Sequence, residues 1–142
     1  MRALGLDLGS KRIGVAVSDR AGTIASPLTV LARGRSRRDD HERIAALVRE
    51  EDAEVVVVGL PRSLAGGDGP AARAARDEVA VLATVVGVPV ELHDERFTTV
   101  TATRALADAG VRSRERRRKV DKVAAAVILQ SWLDGRSTSD HR

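Results

Sequence analysis

The sequence predicts an α/β fold in which a mixed sheet carries helices on its faces. Three apolar runs, at residues 3–6, 13–17 and 26–31, follow one another with only short turns between them, which is typical of antiparallel strands. After the third run, helix-type and strand-type spacing alternate, which favours βα crossovers and parallel strands. The 142 residues fall within the usual size range of one domain. We therefore expect one domain over residues 1–136 and a short, flexible tail over residues 137–142.

The first half of the chain follows this plan. Pro27 lacks a backbone donor, so the third strand is predicted to lie at an edge of the sheet. Residues 33–40, RGRSRRDD, are predicted to form a polar, flexible connector, and the apolar spacing of residues 41–51 predicts a helix. The valines at positions 55–58 are typical of a central parallel strand that is buried on both faces.

The second half repeats the alternation of helices and strands. It is predicted to contain a glycine-rich loop, a helix, a strand, a further helix and a last helix, at residues 61–70, 71–86, 88–93, 98–109 and 120–133. In mixed sheets of this type, functional sites form outside the carboxyl ends of the parallel strands. Asp7, the Gly59–Pro61 turn and the Asp94-Glu95 pair each follow a strand. We therefore expect them along one edge of the sheet.

The composition excludes several classes of protein. The chain has no cysteine, which rules out disulfides, thiolate metal sites and cysteine nucleophiles. Its N-terminus runs into a strand pattern without the features of a signal peptide, and no apolar stretch approaches the roughly 20 residues of a membrane span. The glycines of residues 59–69 are not followed by the Gly-Lys-Ser/Thr sequence of a P-loop. These features predict a cytoplasmic protein that has no contact with a membrane and no P-loop chemistry.

The charge balance permits a polyanionic partner. The net charge is +4, and all but three of the 24 basic residues are arginine, whose guanidinium group suits bidentate phosphate contacts. An arginine-rich composition is also typical of GC-rich coding, so it does not demonstrate such a partner. The only aromatic residues are Phe97 and Trp132, and Trp132 is expected to belong to the core. Contact with backbone phosphate is therefore the better prediction than stacking of bases on aromatic side chains.

Carboxylates from three separate elements carry the strongest functional signal. Asp7 ends the first apolar run, Asp94-Glu95 follows a predicted strand, and Asp121 shares the apolar face of the last helix. Simpler roles exist, because local donors can satisfy a buried Asp7 and acids before Thr98 favour a helix start. If the three groups converge instead, their repulsion requires cations between them. An all-oxygen ligand set favours Mg²⁺ or Mn²⁺ over zinc.

Four ordered segments cover nearly the whole chain, from residue 3 to residue 134: LGLDLGSKRIGVAVSD, VVVVGLPRSLAGGDGP, HDERFTT and VDKVAAAVILQSWLD. Together they resemble the YqgF/RuvX family of pre-16S rRNA nucleases, which is also described as Holliday-junction-resolvase-like. The resemblance implies a ribonuclease-H-like fold, with a mixed five-stranded sheet of order 3-2-1-4-5 and helices on both faces. It also implies that Asp7, Glu95 and Asp121 are the catalytic residues and metal ligands.

The activity that this resemblance implies is metal-dependent hydrolysis of phosphodiester bonds. Asp7 is expected to bridge two Mg²⁺ or Mn²⁺ ions, with Glu95 and Asp121 each completing the shell of one. The related resolvases of the RuvC type have a fourth acid near the third, whereas no acid lies within one turn after Asp121. One ion and two ions therefore both stay open. The implied role is 5′-end maturation of pre-16S rRNA, with RNA, free or within ribosomal particles, as the partner.

Two alternatives stay open beside this role. The same chemistry on a four-way DNA junction would make the protein a Holliday junction resolvase, and a homodimer would favour that function over a monomer. A non-catalytic nucleic-acid-binding factor in transcription or ribosome assembly is the second alternative, although retention of all three acids argues against it. Sequence alone does not separate RNA from DNA, because both are read through backbone and shape.

Basic residues near the three acids are the candidates for contact with nucleic acid. They lie on the turn after Asp7, beside Glu95 and on the approach to Asp121: Lys11, Arg12, Arg96, Arg114, Arg117, Arg118 and Lys119. Clustered cations can follow a phosphate backbone. The alternative for Lys11, Arg12 and the basic run is a solvated charge, and the alternative for Arg96 is that it neutralises the neighbouring acids. His93 is either a structural side chain at the strand end or a group that helps to activate water. His41 lies in a polar segment and carries no functional signal.

Overall fold

The computed structural model describes residues 1–61, 68–95 and 114–140. Within these ranges the chain forms five strands and three helices. In chain order they are β1 (Ala3–Leu8), β2 (Arg12–Ser18), β3 (Ala25–Ala32), α1 (Arg37–Glu50), β4 (Val55–Leu60), α2 (Pro70–Leu82), β5 (Val90–Asp94) and α3 (Arg114–Asp140). The helix predicted at 98–109 and most of the loop predicted at 61–70 lie outside the described residues.

The strands form one mixed sheet in the order β3-β2-β1-β4-β5, which confirms the predicted strand order. β1 pairs antiparallel with β2 and parallel with β4, and β4 pairs parallel with β5. β3 lies at one edge, as Pro27 predicts. The valines at 55–58 are almost fully buried, because β4 lies inside the sheet and helices pack against both of its faces.

Helices cover both faces of the sheet, which confirms the predicted fold class. On one face, α1 and α2 pack against alternate residues of the strands, in a core that includes Leu4, Leu6, Ile44, Val48, Val56, Val58, Val79 and Leu82. On the other face, α3 packs in a second core that includes Ala3, Val57, Ala125, Ile128, Leu129 and Trp132. Trp132 is 7% exposed, so the prediction that it belongs to the core is confirmed. Neighbouring residues on a strand therefore face different helices, and this alternation decides which side chains can meet.

Helix α1 begins four residues earlier than its apolar spacing predicted. Ser36 caps the helix by accepting a hydrogen bond from the backbone nitrogen of Asp39 at 3.1 Å. The prediction of a flexible, polar connector over residues 33–40 is therefore wrong for residues 37–40, which are helical, and Asp40 is only 2% exposed. A serine followed by acids is a recognised helix-start signal, and the dense charges of this segment concealed it.

The other two helices also differ from their predicted bounds. α2 ends at Leu82, and turns connect it to β5. α3 begins at Arg114 and continues to Asp140, so the backbone of the basic segment and of residues 137–140 is helical. The helix thus passes the predicted end at residue 133 and includes Gly135, because one glycine costs a helix only about 1 kcal/mol. No helix in the described part of the chain is both long enough and apolar enough to cross a membrane.

Three buried polar residues and the partly buried Arg33 lie together between the end of β3 and the helices α1 and α2. We call them the Arg33 network: Arg33, Asp40, His41 and Glu78. Arg33 binds both carboxylate oxygens of Glu78, at 2.6 and 2.9 Å. His41 is fully buried, and its Nε2 atom lies 2.8 Å from Oε2 of Glu78. His41 lies in a polar stretch of the sequence, but α1 turns its ring toward the interior.

Acid is expected to weaken the Arg33 network. Burial raises the pKa of the Glu78 carboxyl, but hydrogen bonds from Arg33 and His41 outweigh burial and hold this pKa below its ordinary value of 4.5. A carboxyl whose pKa is lowered by folding adds stability that is complete above its unfolded pKa and is lost as the pH falls through the folded pKa. The free energy of unfolding, measured with urea, should therefore be steady from neutral pH to about pH 5 and fall below it.

The Glu78→Gln variant is the control for this pH dependence. It should be less stable than the wild type at neutral pH, because the partly buried guanidinium of Arg33 loses its bidentate charged partner. Its stability should also fall less steeply in acid, since the titrating group is gone. An equally steep fall in the variant would assign the acid sensitivity to other carboxyls.

Candidate functional site

Asp7 lies in a row of residues that crosses the sheet from β2 to β5. It pairs with Gly14 of β2, and the register between β1 and β4 places Gly59 beside it on the other side. Gly59 in turn pairs with His93 of β5. Asp7 lies on the face that α3 covers, because it is two residues from Gly5, which packs against α3. Its side chain is 5% exposed, so the row presents a buried acid between two glycines.

Asp121 is placed by the close approach of α3 to β2. A Cβ atom on Gly14 would lie under 3.0 Å from the main-chain oxygen of Asp121, so only a glycine lets the helix come this close. The Asp121 carboxylate accepts a hydrogen bond from Nε of Arg12 at 2.7 Å. Arg12 and Gly14 share one face of β2, because side chains alternate along a strand. Asp121 therefore reaches the same sheet face as Asp7.

Glu95 follows β5 directly and is 3% exposed. Its Oε1 atom lies 2.6 Å from the point where a Cβ atom of residue 59 would be, so the carboxylate is stacked over Gly59. Ile128 of α3 approaches the same point to 2.5 Å. The absence of a side chain at position 59 thus leaves room for the carboxylate between strand and helix. Glu95 lies over the strand next to Asp7, on the face where Asp7 and Asp121 also lie.

His93 connects β5 to α3. Its Nε2 atom lies 2.8 Å from Oγ of Ser131. Burial lowers the pKa of the ring below its ordinary value of 6.5, and the charge of Asp94 opposes this effect only in part. This contact supports the structural alternative for His93, because it fixes the strand end from which Glu95 extends.

The donor chemistry of the three acids fits a divalent cation. All three offer carboxylate oxygens, the ligands that Mg²⁺ and Mn²⁺ prefer, and Asp7 and Glu95 are nearly fully buried. As they stand, no three acidic or histidine side chains of the described ranges are near enough to one another to hold an ion. The Asp121 carboxylate is bound to Arg12.

The predicted nucleic-acid-binding residues are placed unequally. Lys11 is exposed on the turn after β1, whereas Arg12 is engaged with Asp121. Arg96 lies outside the described residues. The last four lie on the first turns of α3 and precede Asp121 on the same helix, with their side chains outside the described part of the structure: Arg114, Arg117, Arg118 and Lys119.

Sequence reasoning missed the role of Gly14 and Gly59. Each glycine interrupts a buried strand of mostly branched apolar residues, which is a known sign that another backbone or a ligand comes close. That signal was available in the sequence. The group that approaches each glycine could not be predicted from the sequence. Asp121, for example, lies 107 residues beyond Gly14 in the chain, and only the folded helix brings the two together.

Asp19, the second acid of the first motif, lies away from the three acids. Its carboxylate accepts hydrogen bonds from the backbone nitrogen of Thr23 at 2.7 Å and from the Thr23 hydroxyl at 2.5 Å. These hydrogen bonds are the main reason why the pKa of Asp19 is lowered to about 2. Asp19 therefore stabilises the turn between β2 and β3.

The chain is similar to known proteins along nearly its whole length. The family model RuvX, described as Holliday junction resolvase, matches residues 1–135. A protein of Mycobacterium sp. (strain KMS) with the name "Putative pre-16S rRNA nuclease" is 50% identical over 136 residues, which cover 95% of this chain and 80% of that protein. A protein of the same name from Anaeromyxobacter sp. (strain Fw109-5) is 51% identical, over 96% of this chain and 98% of that protein.

Solved structures show a matching fold at lower sequence identity. The RuvC protein of Thermus thermophilus in complex with a Holliday junction substrate superposes with a TM-score of 0.58 over 96% of both chains, at 18% identity. A further structure of RuvC from this organism gives a TM-score of 0.56 over 97% of both chains, at 19% identity. These similarities confirm the ribonuclease-H-like fold. Because the family model covers residues 1–135 of the 142, this chain belongs to the RuvX family.

Proposed function

We propose that this protein is a divalent-metal-dependent endonuclease that hydrolyses phosphodiester bonds in nucleic acid. The observation that carries the proposal is the placement of Asp7, Glu95 and Asp121, which come from three separate elements and reach one face of the sheet. Gly14 and Gly59 leave the room that this placement needs. Carboxylates that three elements bring to one face of the sheet offer the oxygen ligands that a divalent cation prefers, and this chemistry supports a cation-binding role.

Asp7, Glu95 and Asp121 would hold Mg²⁺ or Mn²⁺, as one ion or two. Such an ion, when bound, stabilises the charge that develops on the phosphate and makes an attacking water a better nucleophile. The chain's own contribution is to fix the ligands. Asp7 stands on β1, near the middle of the sheet, and Asp121 stands on a helix whose backbone touches β2. Regular elements hold functional groups more accurately than loops do.

The proposed substrate is pre-16S rRNA, free or within ribosomal particles, and the proposed reaction is 5′-end maturation. Relatives at 50% and 51% identity carry a name that supports this choice. A Holliday junction is the second candidate, because the family model is described by that activity. Both substrates present the same phosphodiester group, so the acids do not choose between them. For this role we propose a cytoplasmic location, with the protein acting as a monomer or a homodimer.

A cleavage assay with both substrates tests the proposal. A labelled RNA with the pre-16S 5′ leader and a labelled four-way DNA junction are each incubated with the protein, in Mn²⁺ and in EDTA. Metal-dependent cleavage of the RNA supports rRNA processing, whereas cleavage of the junction alone supports a resolvase. If neither is cut while RNA binding persists, the protein is not a self-sufficient nuclease. Repetition with ribosomal particles then separates the need for a partner from a non-catalytic binding factor.

Arg12 is proposed to contact a phosphate group of the substrate. In the free protein its guanidinium binds Asp121, with side chains that are 28% and 25% exposed. Once Asp121 binds a cation, Arg12 is released beside the site and can pair with a phosphate oxygen. The other basic candidates are proposed to extend this contact along the backbone of the nucleic acid: Lys11, Arg96, Arg114, Arg117, Arg118 and Lys119.

The Arg12→Gln variant is expected to bind RNA more weakly, and its plot of log affinity against log salt should be shallower by about one unit. Titration of a fluorescent RNA at several salt concentrations measures both effects. The matched control is Arg2→Gln, which breaks the Arg2–Glu51 ion pair of 2.9 Å and of similar exposure at the opposite end of β1. Equal slopes for the wild type and Arg12→Gln would show that Arg12 makes no phosphate contact.

A further inference from the structure

We propose that Arg33 is a positioning residue of the candidate site, because it holds the turn between β1 and β2 and so fixes the strand end that carries Asp7. Arg33 comes directly after β3 and belongs to a network that the proposed chemistry does not use. The expected effect of Arg33 on the cleavage rate rests on the proposed function. The effect on the turn itself is independent of that function.

The turn between β1 and β2 joins two residues of the candidate site. The backbone nitrogen of Gly9 donates to the carbonyl oxygen of Asp7 at 3.1 Å and to that of Arg12 at 2.9 Å. Arg33 binds this turn twice: its backbone nitrogen donates to the carbonyl oxygen of Lys11 at 2.9 Å, and its Nε donates to that of Gly9 at 3.0 Å. The side chain of Arg33 therefore holds the segment that begins two residues after Asp7.

The guanidinium of Arg33 is itself held in one orientation. Its two terminal nitrogens bind the two oxygens of Glu78, at 2.6 and 2.9 Å, and Nη1 lies 3.4 Å from Oδ2 of Asp40. Nε2 of His41 lies 2.8 Å from Glu78 on its other side. A bidentate pair of this kind fixes the plane of the group as well as its distance. Arg33 therefore links α1 and α2, through Asp40 and Glu78, to the turn beside Asp7.

A contribution to stability alone would not require a contact with the turn, and Arg43 illustrates the difference. Nη2 of Arg43 donates to the carbonyl oxygen of Ala32 and to Oδ1 of Asp40, both at 2.6 Å. These bonds stabilise the same region through the same Asp40, but they do not reach Gly9. Arg43→Gln is therefore the control for Arg33→Gln, since each variant loses charged hydrogen bonds to carboxylate and to one main-chain oxygen, and of the two arginines only Arg33 also bonds to Glu78.

A lysine at position 33 should not replace the arginine. Its single ammonium group has no planar fork, so it cannot bind both oxygens of Glu78 and the carbonyl oxygen of Gly9 together. Arg33→Lys keeps a positive charge opposite Glu78. It therefore separates the effect of charge from the effect of geometry. If Arg33→Gln fails to fold, the measurements are made on Arg33→Lys instead.

Amide hydrogen exchange of the free protein, read by NMR, is the first measurement. In both Arg33 variants the Gly9 amide should exchange about 10-fold faster than in the wild type, after correction for the change at buried β4 amides. Arg43→Gln should leave the corrected Gly9 rate unchanged. Equal corrected rates in the Arg33 and Arg43 variants would overturn the proposal.

Steady-state cleavage kinetics on the substrate that the wild type cuts is the second measurement. The Arg33 variants should lose between about 10-fold and 100-fold in kcat, because small displacements of reacting groups have effects of this size. Their KM should stay close to that of the wild type, and Arg43→Gln should retain the wild-type kcat. A fall in kcat without faster exchange at Gly9 would also overturn the proposal. If the wild type cuts neither substrate, the proposed function has failed, and the exchange rates alone decide the role of Arg33.

Discussion

The Asp7→Asn variant is expected to lose at least about 100-fold in the rate of metal-dependent cleavage, since a bound cation contributes several kcal/mol to the transition state. The loss should exceed that of Glu95→Gln or Asp121→Asn. Asp7 lies between the other two acids: Glu95 is stacked over the glycine on one side of it, and Asp121 over the glycine on the other side. It is thus the one member of the three that neighbours both.

Single-turnover cleavage in Mn²⁺ measures this effect without a contribution from product release. Asparagine has nearly the same shape as aspartate, so thermal unfolding should show that the variant folds. Asp19→Asn is the control, because it changes an acid of the same motif that serves only the β2–β3 turn. Asp19→Asn should retain cleavage. A wild-type rate for Asp7→Asn would remove the basis of the proposed function.

The Gly14→Ala variant is expected to lose about 3 kcal/mol of unfolding free energy, at the upper end of what overpacking usually costs. The new Cβ atom would overlap the main-chain oxygen of Asp121. A main-chain atom inside a helix cannot turn aside as a side chain can, so α3 must move away from β2. This movement carries Asp121 away from Asp7, and cleavage should fall as well, at temperatures where the variant remains folded.

Urea denaturation of Gly14→Ala and Gly135→Ala measures the effect. Gly135 lies within α3, and a Cβ atom there would have nothing within 4 Å. Its replacement should therefore leave the stability unchanged or raise it by up to about 1 kcal/mol, because alanine favours helix over glycine. If the two variants had equal stability, the close approach of α3 to β2 would not be what demands a glycine at position 14.

The strands could be predicted because their burial follows from local patterns. The valines of β4 and the proline of β3 each indicate a place in the sheet without reference to the rest of the chain. The helix ends were harder to predict. The spacing of apolar residues marks the buried face of a helix, whereas its first turn at Ser36 depends on one cap that lies among charges.

The candidate site likewise has features that could be predicted from local sequence and features that could not. Each predicted acid follows a strand or shares an apolar helix face, so its element could be predicted from the sequence. The pairing of Arg12 with Asp121 spans 109 positions, and the pairing of Arg33 with Glu78 spans 45. Such distant ion pairs have no local signature, because a charged side chain that is buried and one that is solvated look the same in a sequence.

The ion pair between Arg12 and Asp121 has a consequence for handling the protein. A chain whose clustered acids lacked an internal counter-ion would depend on cations to remain folded, as many small metal-binding domains do. Here Arg12 neutralises Asp121, and an extensive apolar core lies on each face of the sheet. Treatment with a chelator should therefore leave the chain folded. Cleavage that disappears in EDTA can then be attributed to lost chemistry, and the same sample should recover when Mn²⁺ is returned.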